Sequence, residues 1–419
     1  MRIILNKYKK IKINKFSRKI WYFKKMKQLL LKNLPISVIF FISFVLYFYV
    51  LNLSWYGFSP IAQIIDKDVL SSLNYFEIIY ELSGQPPLLS ILRKLSVEIN
   101  VNLNLYISIF LLYISGLLLF NFVNKICNIF YSYFITTFYF LMPSVWMYNT
   151  YEYDAGIYVS LSLISIITLF NFLDNKNSYH NLIIFSFSGF FLSALSTKFT
   201  IFNTILFMVF ILISQKNIKI KLIAIFLVSL QFLLPTKNYY LDGIFSNSTW
   251  FGLNLSMVAK ELPPSKDENG SIYTFFSNFD DVKDCDARTK KFGSKYFGCI
   301  AVKASKNDTE ISIKRIFNYP LKYVILGAKN FKDHLLHFPG NYDNSGMSFR
   351  RIDLQTYQSY NNSTKLGIGK LRIALLYALN IFIYYFIPIL VFVSAKKLLK
   401  HENRIFLCSL FFVSLNYLI

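Results

Sequence analysis

The sequence predicts a polytopic α-helical membrane protein. Of its 419 residues, 54% are hydrophobic and 19% are aromatic, and the mean hydropathy is positive. Soluble domains are rarely so apolar, whereas runs of about 20 apolar residues are typical of membrane-spanning helices. Only 16% of the residues are charged, and most of these charges fall between the apolar runs. We therefore expect a bundle of membrane helices joined by polar segments.

The basic N-terminus indicates how the chain is oriented. The formal net charge is +23, and all the charges from Arg2 to Lys32 are basic and directly precede an apolar run. A basic flank of this kind holds a terminus on the cytoplasmic side and attracts anionic lipids. No nucleic-acid-binding module accompanies the charge. We therefore predict membrane lipids, and not nucleic acid, as partners of this segment.

Apolar runs and the short loops between them predict about nine membrane spans. The runs extend roughly over Leu34–Leu53, Leu103–Phe122, Ile126–Pro143, Asp154–Phe172, Leu182–Leu195, Phe199–Ile213, Leu222–Leu234, Leu371–Val393 and Ile405–Ile419. The predicted connections include a tight turn at Asn124-Lys125 and a basic loop from Lys216 to Lys221. The short basic loops all fall on the side of the N-terminus, as the positive-inside rule requires.

These spans divide the chain into four parts. Residues 1–33 are a basic cytoplasmic segment, and residues 34–235 are a transmembrane region whose first outer loop covers residues 54–102. Residues 236–369 hold most of the acidic residues and glycines, so they are predicted to form a small α+β extracytoplasmic domain. Residues 370–419 return to the membrane as C-terminal helices.

The later part of the outer domain contains a possible metal motif. From Ile311 to Leu336 the sequence has helical periodicity, interrupted at Pro320. Asp333, His334 and His337 have a helical spacing that could bind a metal. No further ligand is obvious nearby, so we interpret them as residues of an ordinary solvated helix.

An amphipathic segment closes the first outer loop. After Pro86-Pro87, apolar residues recur at helical spacing, while Arg93 and Lys94 are predicted to face the opposite side. The apolar residues are Leu88, Leu89, Ile91, Leu92 and Leu95. This pattern favours a short helix that lies in the membrane interface and does not cross it.

Ionisable residues occur at the ends of the predicted spans and not in their middle. Asp66, Asp68, Asp154 and Lys198 all lie at predicted outer ends. Transporters coupled to ions or protons usually keep ionisable groups at mid-membrane depth, despite their cost. The placement here favours an active site at the outer membrane surface over a conduction path.

Three stretches, in this order, resemble the GT-C superfamily of membrane glycosyltransferases. The first is the acidic loop that ends in Gly84-Gln85-Pro86-Pro87-Leu88. The second is Tyr151-Glu152-Tyr153-Asp154, which precedes an apolar span, and the third is the stretch from Gly189 to Thr200 with its Leu-Ser-Thr-Lys ending. The combination resembles the protein O-mannosyltransferase and lipid A aminoarabinose transferase branch over about Asp66 to Thr200.

The resemblance implies a GT-C-like bundle and a defined reaction. A sugar would pass from a polyprenyl-phosphate donor to a lipid, glycan or protein acceptor at the extracytoplasmic face of a bacterial inner membrane. Asp66 or Asp68 would be the general base. Related enzymes often have adjacent acids, whereas Lys67 separates them here, so which one is the base stays open.

The resemblance also implies substrate-binding residues around that base. These are Gln85, Pro86, Pro87, Asp154, Lys198, Arg350 and Arg351. Lys198 or one of the two arginines would stabilise the departing phosphate, a task that a divalent metal ion could share.

Each of these residues also has a purely structural interpretation. The two loop acids could be solvated or could cap the next helix, and Asp154 could cap the fourth span. Lys198 could be a snorkelling anchor at a span end, and the paired arginines could face lipid head groups. Pro86-Pro87 could simply start a helix.

Two other functions fit a membrane protein of this composition. An O-antigen polymerase or ligase would place its chemistry in large outer loops rich in Arg and His. A lipid-linked-sugar flippase or transporter would have polar residues deep in several spans.

Overall fold

The protein is mostly helical in the part of the chain that its computed structural model describes. That part comprises residues 33–50, 67–82, 86–126, 128–141, 145–146, 149, 155–174, 178–196, 201–214, 217–265, 268, 270–273 and 299–336. Most of these residues are in helices, and none is in a strand. The prediction of a helical protein is confirmed.

Fourteen helices follow one another along the described chain. They are α1 (Asn33–Tyr49), α2 (Lys67–Ser72), α3 (Tyr75–Tyr80), α4 (Leu88–Glu98), α5 (Leu103–Ile126), α6 (Ile129–Leu141), α7 (Ala155–Asp174), α8 (Tyr179–Leu195), α9 (Ile201–Ser214), α10 (Ile218–Ser229), α11 (Leu233–Asp242), α12 (Phe251–Ala259), α13 (Cys299–Asn318) and α14 (Pro320–Leu336). A 3₁₀ turn, Leu230–Phe232, joins α10 to α11.

Two helical stretches within the described residues, Leu103–Lys125 and Ile218–Asp242, are long and apolar enough to cross a membrane. The helices α1, α6, α7 and α8 are apolar but shorter. Large apolar side chains lie exposed on several of these helices: Phe41, Tyr106, Phe110, Phe130, Phe187, Leu222 and Phe226. Exposed apolar surface on apolar helices suits contact with lipid, so these features suggest membrane association.

Two predicted connections differ from the structure: one lies inside a helix, and part of the other is helical. The predicted turn at Asn124-Lys125 is part of α5, which continues to Ile126. The predicted basic loop from Lys216 to Lys221 is shorter than expected, because α10 begins at Ile218. The side chain of Asn217 caps that helix by accepting a hydrogen bond from the Lys219 N–H. Both errors have one cause: Lys is a good helix former, and its long side chain carries the charge away from an apolar helix end.

The predicted interruption near Pro320 is confirmed. Helix α13 ends at Asn318, and α14 starts at Pro320 itself. Proline has no N–H to donate, but the first residue of a helix does not need one. Pro320 therefore starts the second helix.

The bundle core lies where α7 and α8 pack along each other and α5 packs against both α6 and α7. Its largest cluster contains Phe172, Phe185 and Phe207, which are almost fully buried. The same cluster includes Leu89 and Leu92 of α4. The segment after Pro86-Pro87 is therefore a helix, as predicted, and its apolar side is part of the bundle core.

A second apolar cluster joins the first outer loop to the outer domain. Leu70 and Ile78, from α2 and α3, pack with Trp250, Leu253 and Ala304 from the 236–369 region. Residues 67–82 and the described part of the 236–369 region therefore pack against each other.

Candidate functional site

The candidate site is the place where the bundle meets the predicted first outer loop and the predicted outer domain. We call it the outer junction, after the predicted location of these two segments, and define it as residues 67–82, 86–98 and 237–259 with the facing part of α13 near Ala304. Helix α4 lies at its centre: Leu89 and Leu92 belong to the bundle core, whereas Ile91 packs against the outer cluster. The junction is therefore held by apolar contacts on both sides of α4.

Three of the predicted site residues lie within the described chain. Pro86 and Pro87 are buried and directly precede Leu88, the first residue of α4. Asp68 lies in α2, a helix that packs against α4 through the junction. The other predicted site residues, Asp66, Gln85, Asp154, Lys198, Arg350 and Arg351, lie outside the described residues. The structure therefore brings the buried prolines and the helix carrying Asp68 into one place.

Arg93 and Lys94, which are predicted to lie opposite the apolar residues of α4, are buried. Their exposed fractions are 5% and 6%. The Lys94 Nζ donates to the Ser71 carbonyl at 3.1 Å, and it lies 3.1 Å from Glu98 Oε1 and 5.4 Å from the centre of the Tyr75 ring. Helices α2 and α3 cover the side of α4 that periodicity assigns to solvent. Periodicity identifies the side turned away from the bundle, but it does not predict what packs there.

The group of charges around Lys94 is electrostatically linked to a tyrosine. The Tyr75 hydroxyl donates a hydrogen bond to Glu98. That bond raises the pKa of Tyr75 to about 12. The hydrogen bond from the Tyr75 hydroxyl is the largest cause that lowers the pKa of the Glu98 carboxyl, and the hydrogen bond from Lys94 lowers it further. Glu98 is therefore ionised at neutral pH and balances the charge of Lys94.

Lys237 fastens the first outer loop to α11. Its Nζ donates to the carbonyl of Ile79 at 3.1 Å and to the carbonyl of Leu82. Ile79 lies in the last turn of α3, where carbonyl groups have no partner within the helix. A cation at this end of a helix also interacts favourably with the helix dipole. No sequence pattern marks Lys237, because its partners are about 155 residues away along the chain.

Helices α12 and α13 pack closely because Gly252 has no side chain. The Gly252 N–H donates to Ser305 Oγ at 2.8 Å. A Cβ atom at this position would overlap the carbonyl oxygen of Ser305 and the side chain of Thr309. The close contact places Trp250, which directly precedes α12, in the cluster with α2 and α3.

Arg315 binds Glu268 and the end of α12 together. Its Nε donates to Glu268 Oε2 at 2.8 Å, its Nη2 donates to the other carboxylate oxygen, and its Nη1 donates to the carbonyls of Ala259 and Leu262 at 3.3 Å. The guanidinium group holds the pKa of Glu268 below its usual range. Because the described hydrogen bonds already use three of its nitrogens, Arg315 has a structural role in the outer domain.

Asp308 is a buried acid that no sequence motif marks. Its Oδ1 accepts a hydrogen bond from the Tyr273 N–H at 2.8 Å and lies 3.3 Å from the Asn307 amide. Burial raises the pKa of the Asp308 carboxyl, although these hydrogen bonds oppose the shift. Asp308 lies one helical turn after Ala304, which belongs to the outer cluster. Ionised Asp308 therefore destabilises the fold next to the junction.

We expect Asp308→Asn to stabilise the protein at neutral pH, by on the order of 1 kcal/mol. Asparagine keeps the Oδ1 that accepts from Tyr273 and removes the charge. Because the folded-state pKa is raised, protonation favours the folded state, and the stability that it adds is lost as the pH rises through that pKa. The thermal midpoints of the variant and the wild type should therefore differ at pH 7 and converge below about pH 4. A constant difference across this range would contradict the assignment.

Among the described residues, no group of three or more His, Cys, Asp or Glu side chains could hold a metal ion. Asp333 and His334 lie in α14, but their side chains are outside the described part of the chain, as is all of His337.

Comparisons with known proteins add no family assignment. No protein-family model, curated protein or solved structure matches the chain. Its function is therefore inferred from its motifs and from the geometry of the outer junction.

Proposed function

We propose that the protein is an integral membrane glycosyltransferase of the GT-C type. It moves a sugar from a polyprenyl-phosphate donor to a lipid, glycan or protein acceptor at the extracytoplasmic face. The proposal includes about nine membrane spans, a small α+β outer domain and a cytoplasmic N-terminus in a bacterial inner membrane.

The observation that carries the proposal is the position of α4 in the outer junction. This helix follows the buried Pro86-Pro87 pair, contributes Leu89 and Leu92 to the bundle core, and packs against the helix that carries Asp68. An enzyme that uses a lipid-linked sugar needs an apolar groove for the tail and a polar reaction site at the end of that groove. The junction combines apolar residues of the bundle core with a helix that carries Asp68, which supports this arrangement.

The proposed reaction is a direct displacement at the anomeric carbon. Asp66 or Asp68 accepts the proton of the acceptor hydroxyl while the hydroxyl oxygen forms a bond to that carbon. The bond from the anomeric carbon to the phosphate oxygen breaks, and the departing polyprenyl phosphate keeps the electron pair. Lys198 or one of the two arginines, Arg350 and Arg351, stabilises the phosphate charge. A divalent metal ion bound there would supply further positive charge.

The remaining predicted residues would position the donor. Pro86 and Pro87 have fixed backbone angles, so they hold the start of α4 rigidly behind the base. Gln85 and Asp154 would hydrogen-bond the sugar or the phosphate. Pre-set groups of this kind lower the barrier because they need no reorganisation when charge develops.

One observation favours a second candidate function, a lipid-linked-sugar flippase or transporter. Several apolar helices carry buried polar residues, namely Thr136, Ser165, Thr168, Asn203 and Gln231. Polar groups inside a bundle are typical of transport paths. These residues are neutral, however, and a glycosyltransferase can use the same groups to bind its donor. The O-antigen polymerase or ligase alternative relies on outer-loop arginines, and Arg315 is already bound to Glu268.

A donor test separates these functions. We expect purified full-length protein to transfer labelled sugar from a polyprenyl-phosphate sugar, and not from the matching nucleotide sugar, to an acceptor fraction from the membrane. Recovery of the intact labelled lipid on the opposite face of proteoliposomes, without transfer, would favour the flippase instead. Polymerisation of lipid-linked oligosaccharides without use of the monosaccharide donor would favour the polymerase.

A further inference from the structure

The long apolar helix Ile218–Asp242 contains an interruption that the proposed reaction does not explain. A 3₁₀ turn, Leu230–Phe232, separates α10 from α11. Pro235 accounts for the interruption, because it has no N–H to offer to the carbonyl of Gln231 four residues earlier. Short 3₁₀ segments within a long helix often mark functional positions. The polar residue at this position is Gln231.

Gln231 lies where three helical elements meet. It is 1% exposed, and its Oε1 accepts a hydrogen bond from Thr204 Oγ1 of α9 at 2.9 Å. On the other side it packs against Gly189 of α8, where a Cβ atom would overlap Gln231 Nε2. Within the described residues, Nε2 has no hydrogen-bond partner. A buried amide donor is therefore placed between α8 and α9 with its hydrogens unused.

The site lies close to the end of the bundle that carries the outer junction. Thr204 is three residues after the start of α9, or about 4.5 Å along the helix axis, and Gly189 is about 9 Å before the end of α8. The last turn of α8 contributes Leu192 and Leu195 to the cluster that contains Leu89 and Leu92 of α4. The Gln231 Nε2 group thus lies one to two helical turns into the bundle from the junction.

The chemistry of the site selects the type of ligand. An unpaired N–H group in a low-dielectric interior lowers the stability of the folded protein. A ligand oxygen that accepts its hydrogen bond removes this cost, so binding of such a ligand is favoured. The side chains that define the site are neutral, so they do not by themselves hold a free ion. An amphiphile whose tail occupies the bundle delivers such an oxygen from its head group without carrying a free ion into the bundle.

We propose that Gln231, Thr204 and Gly189 form a binding site for a head-group oxygen of a lipid-linked phosphate or phosphate sugar. This inference rests on the proposed glycosyltransferase function and assigns residues of α8, α9 and the 3₁₀ turn to its donor. Gln231 donates to the head-group oxygen, Thr204 orients the amide, and Gly189 leaves room for it. The site is thus set up for a ligand at a cost in stability of the free protein.

The test uses full-length protein in detergent and four probes: a long-chain polyprenyl monophosphate, the corresponding phosphate sugar, the corresponding polyprenol and inorganic phosphate. Gln231→Met keeps the side-chain size and removes the amide. We expect it to weaken binding of the phosphorylated lipids about tenfold, which is the effect of one buried hydrogen bond. Without ligand its thermal midpoint should change little, because the unpaired Nε2 donor and the hydrogen bond from Thr204 to Oε1 are lost together. Gly189→Ala, which displaces the amide without removing it, should weaken binding as well.

Asn121→Leu is the matched control. Asn121 is also an amide in an apolar helix, but its Nδ2 donates to the Leu117 carbonyl at 2.9 Å. This variant should leave the binding of all the lipids unchanged.

The outcomes separate this inference from the proposed function. If wild-type protein transfers sugar and both site variants bind the phosphorylated lipids normally, the inference is wrong and the enzyme remains. Binding of inorganic phosphate alone that depends on Gln231 would overturn the lipid assignment. A wild-type protein that neither binds nor uses either phosphorylated lipid would overturn both.

Discussion

Replacing Asp66 and Asp68 with asparagine is expected to abolish sugar transfer. Asparagine keeps the shape of aspartate but does not accept the proton of the acceptor hydroxyl. General-base catalysis contributes a factor of about 100 to 10,000, so one single variant and the double variant should lose at least about 100-fold in kcat. The single variant with the larger loss identifies the base, which Lys67 between the two acids leaves open. Transfer from a labelled polyprenyl-phosphate sugar is the measurement.

An acid in the same loop provides the control for this prediction. Glu77 belongs to a capping box at the start of α3, where Asn74 accepts from its N–H and Glu77 accepts in return. Glu77→Gln preserves both bonds, so transfer should continue at the wild-type rate. If both single variants and the double variant transfer sugar normally, neither aspartate is the base. The apparent KM for the donor should change little in the active-site variants, because the base acts on the acceptor.

The local features of the fold could be predicted from the sequence. The start of α4 after two prolines and the break at Pro320 follow from the missing proline N–H. The apolar helices follow from the composition of each run. These features depend on residues within a few positions of each other. They therefore do not depend on which other segments pack against them.

The long-range features of the junction could not be predicted in this way. Arg93 and Lys94 are buried because α2 and α3 cover α4. The polar side chain of Gln231 is accommodated in the bundle because Gly189 leaves space for its amide and Thr204 donates a hydrogen bond to it. Helical periodicity contains no information about which segment covers a polar face. The same limit applies to Arg315 and Glu268, which are 47 positions apart.

The bond between Arg315 and Glu268 is expected to dominate the stability of the outer domain. The exposed fractions of the two side chains are 10% and 6%, and Arg315 also binds carbonyls at the end of α12. Removing one member of a buried ion pair leaves the other charge without compensation. We therefore expect Arg315→Ala to cost about 3 kcal/mol or more and to lower the thermal midpoint by several degrees. Arg315→Lys should recover only part of the loss, because an ammonium group cannot form the two parallel bonds.

The neighbouring Lys314 and the pH dependence test whether the Arg315–Glu268 bond causes this effect. Lys314 lies 2.7 Å from Glu310 on the exposed side of α13, so Lys314→Ala should change the midpoint little. Arg315 lowers the folded-state pKa of Glu268. The stability that this carboxylate contributes is therefore complete above the unfolded pKa of about 4.3 and is lost as the pH falls through the folded value. Wild-type protein should lose stability below about pH 4.3 more steeply than Glu268→Gln. Equal slopes for the two proteins, or an equal loss in Lys314→Ala and Arg315→Ala, would show that the general charge of α13 stabilises the domain instead of this ion pair.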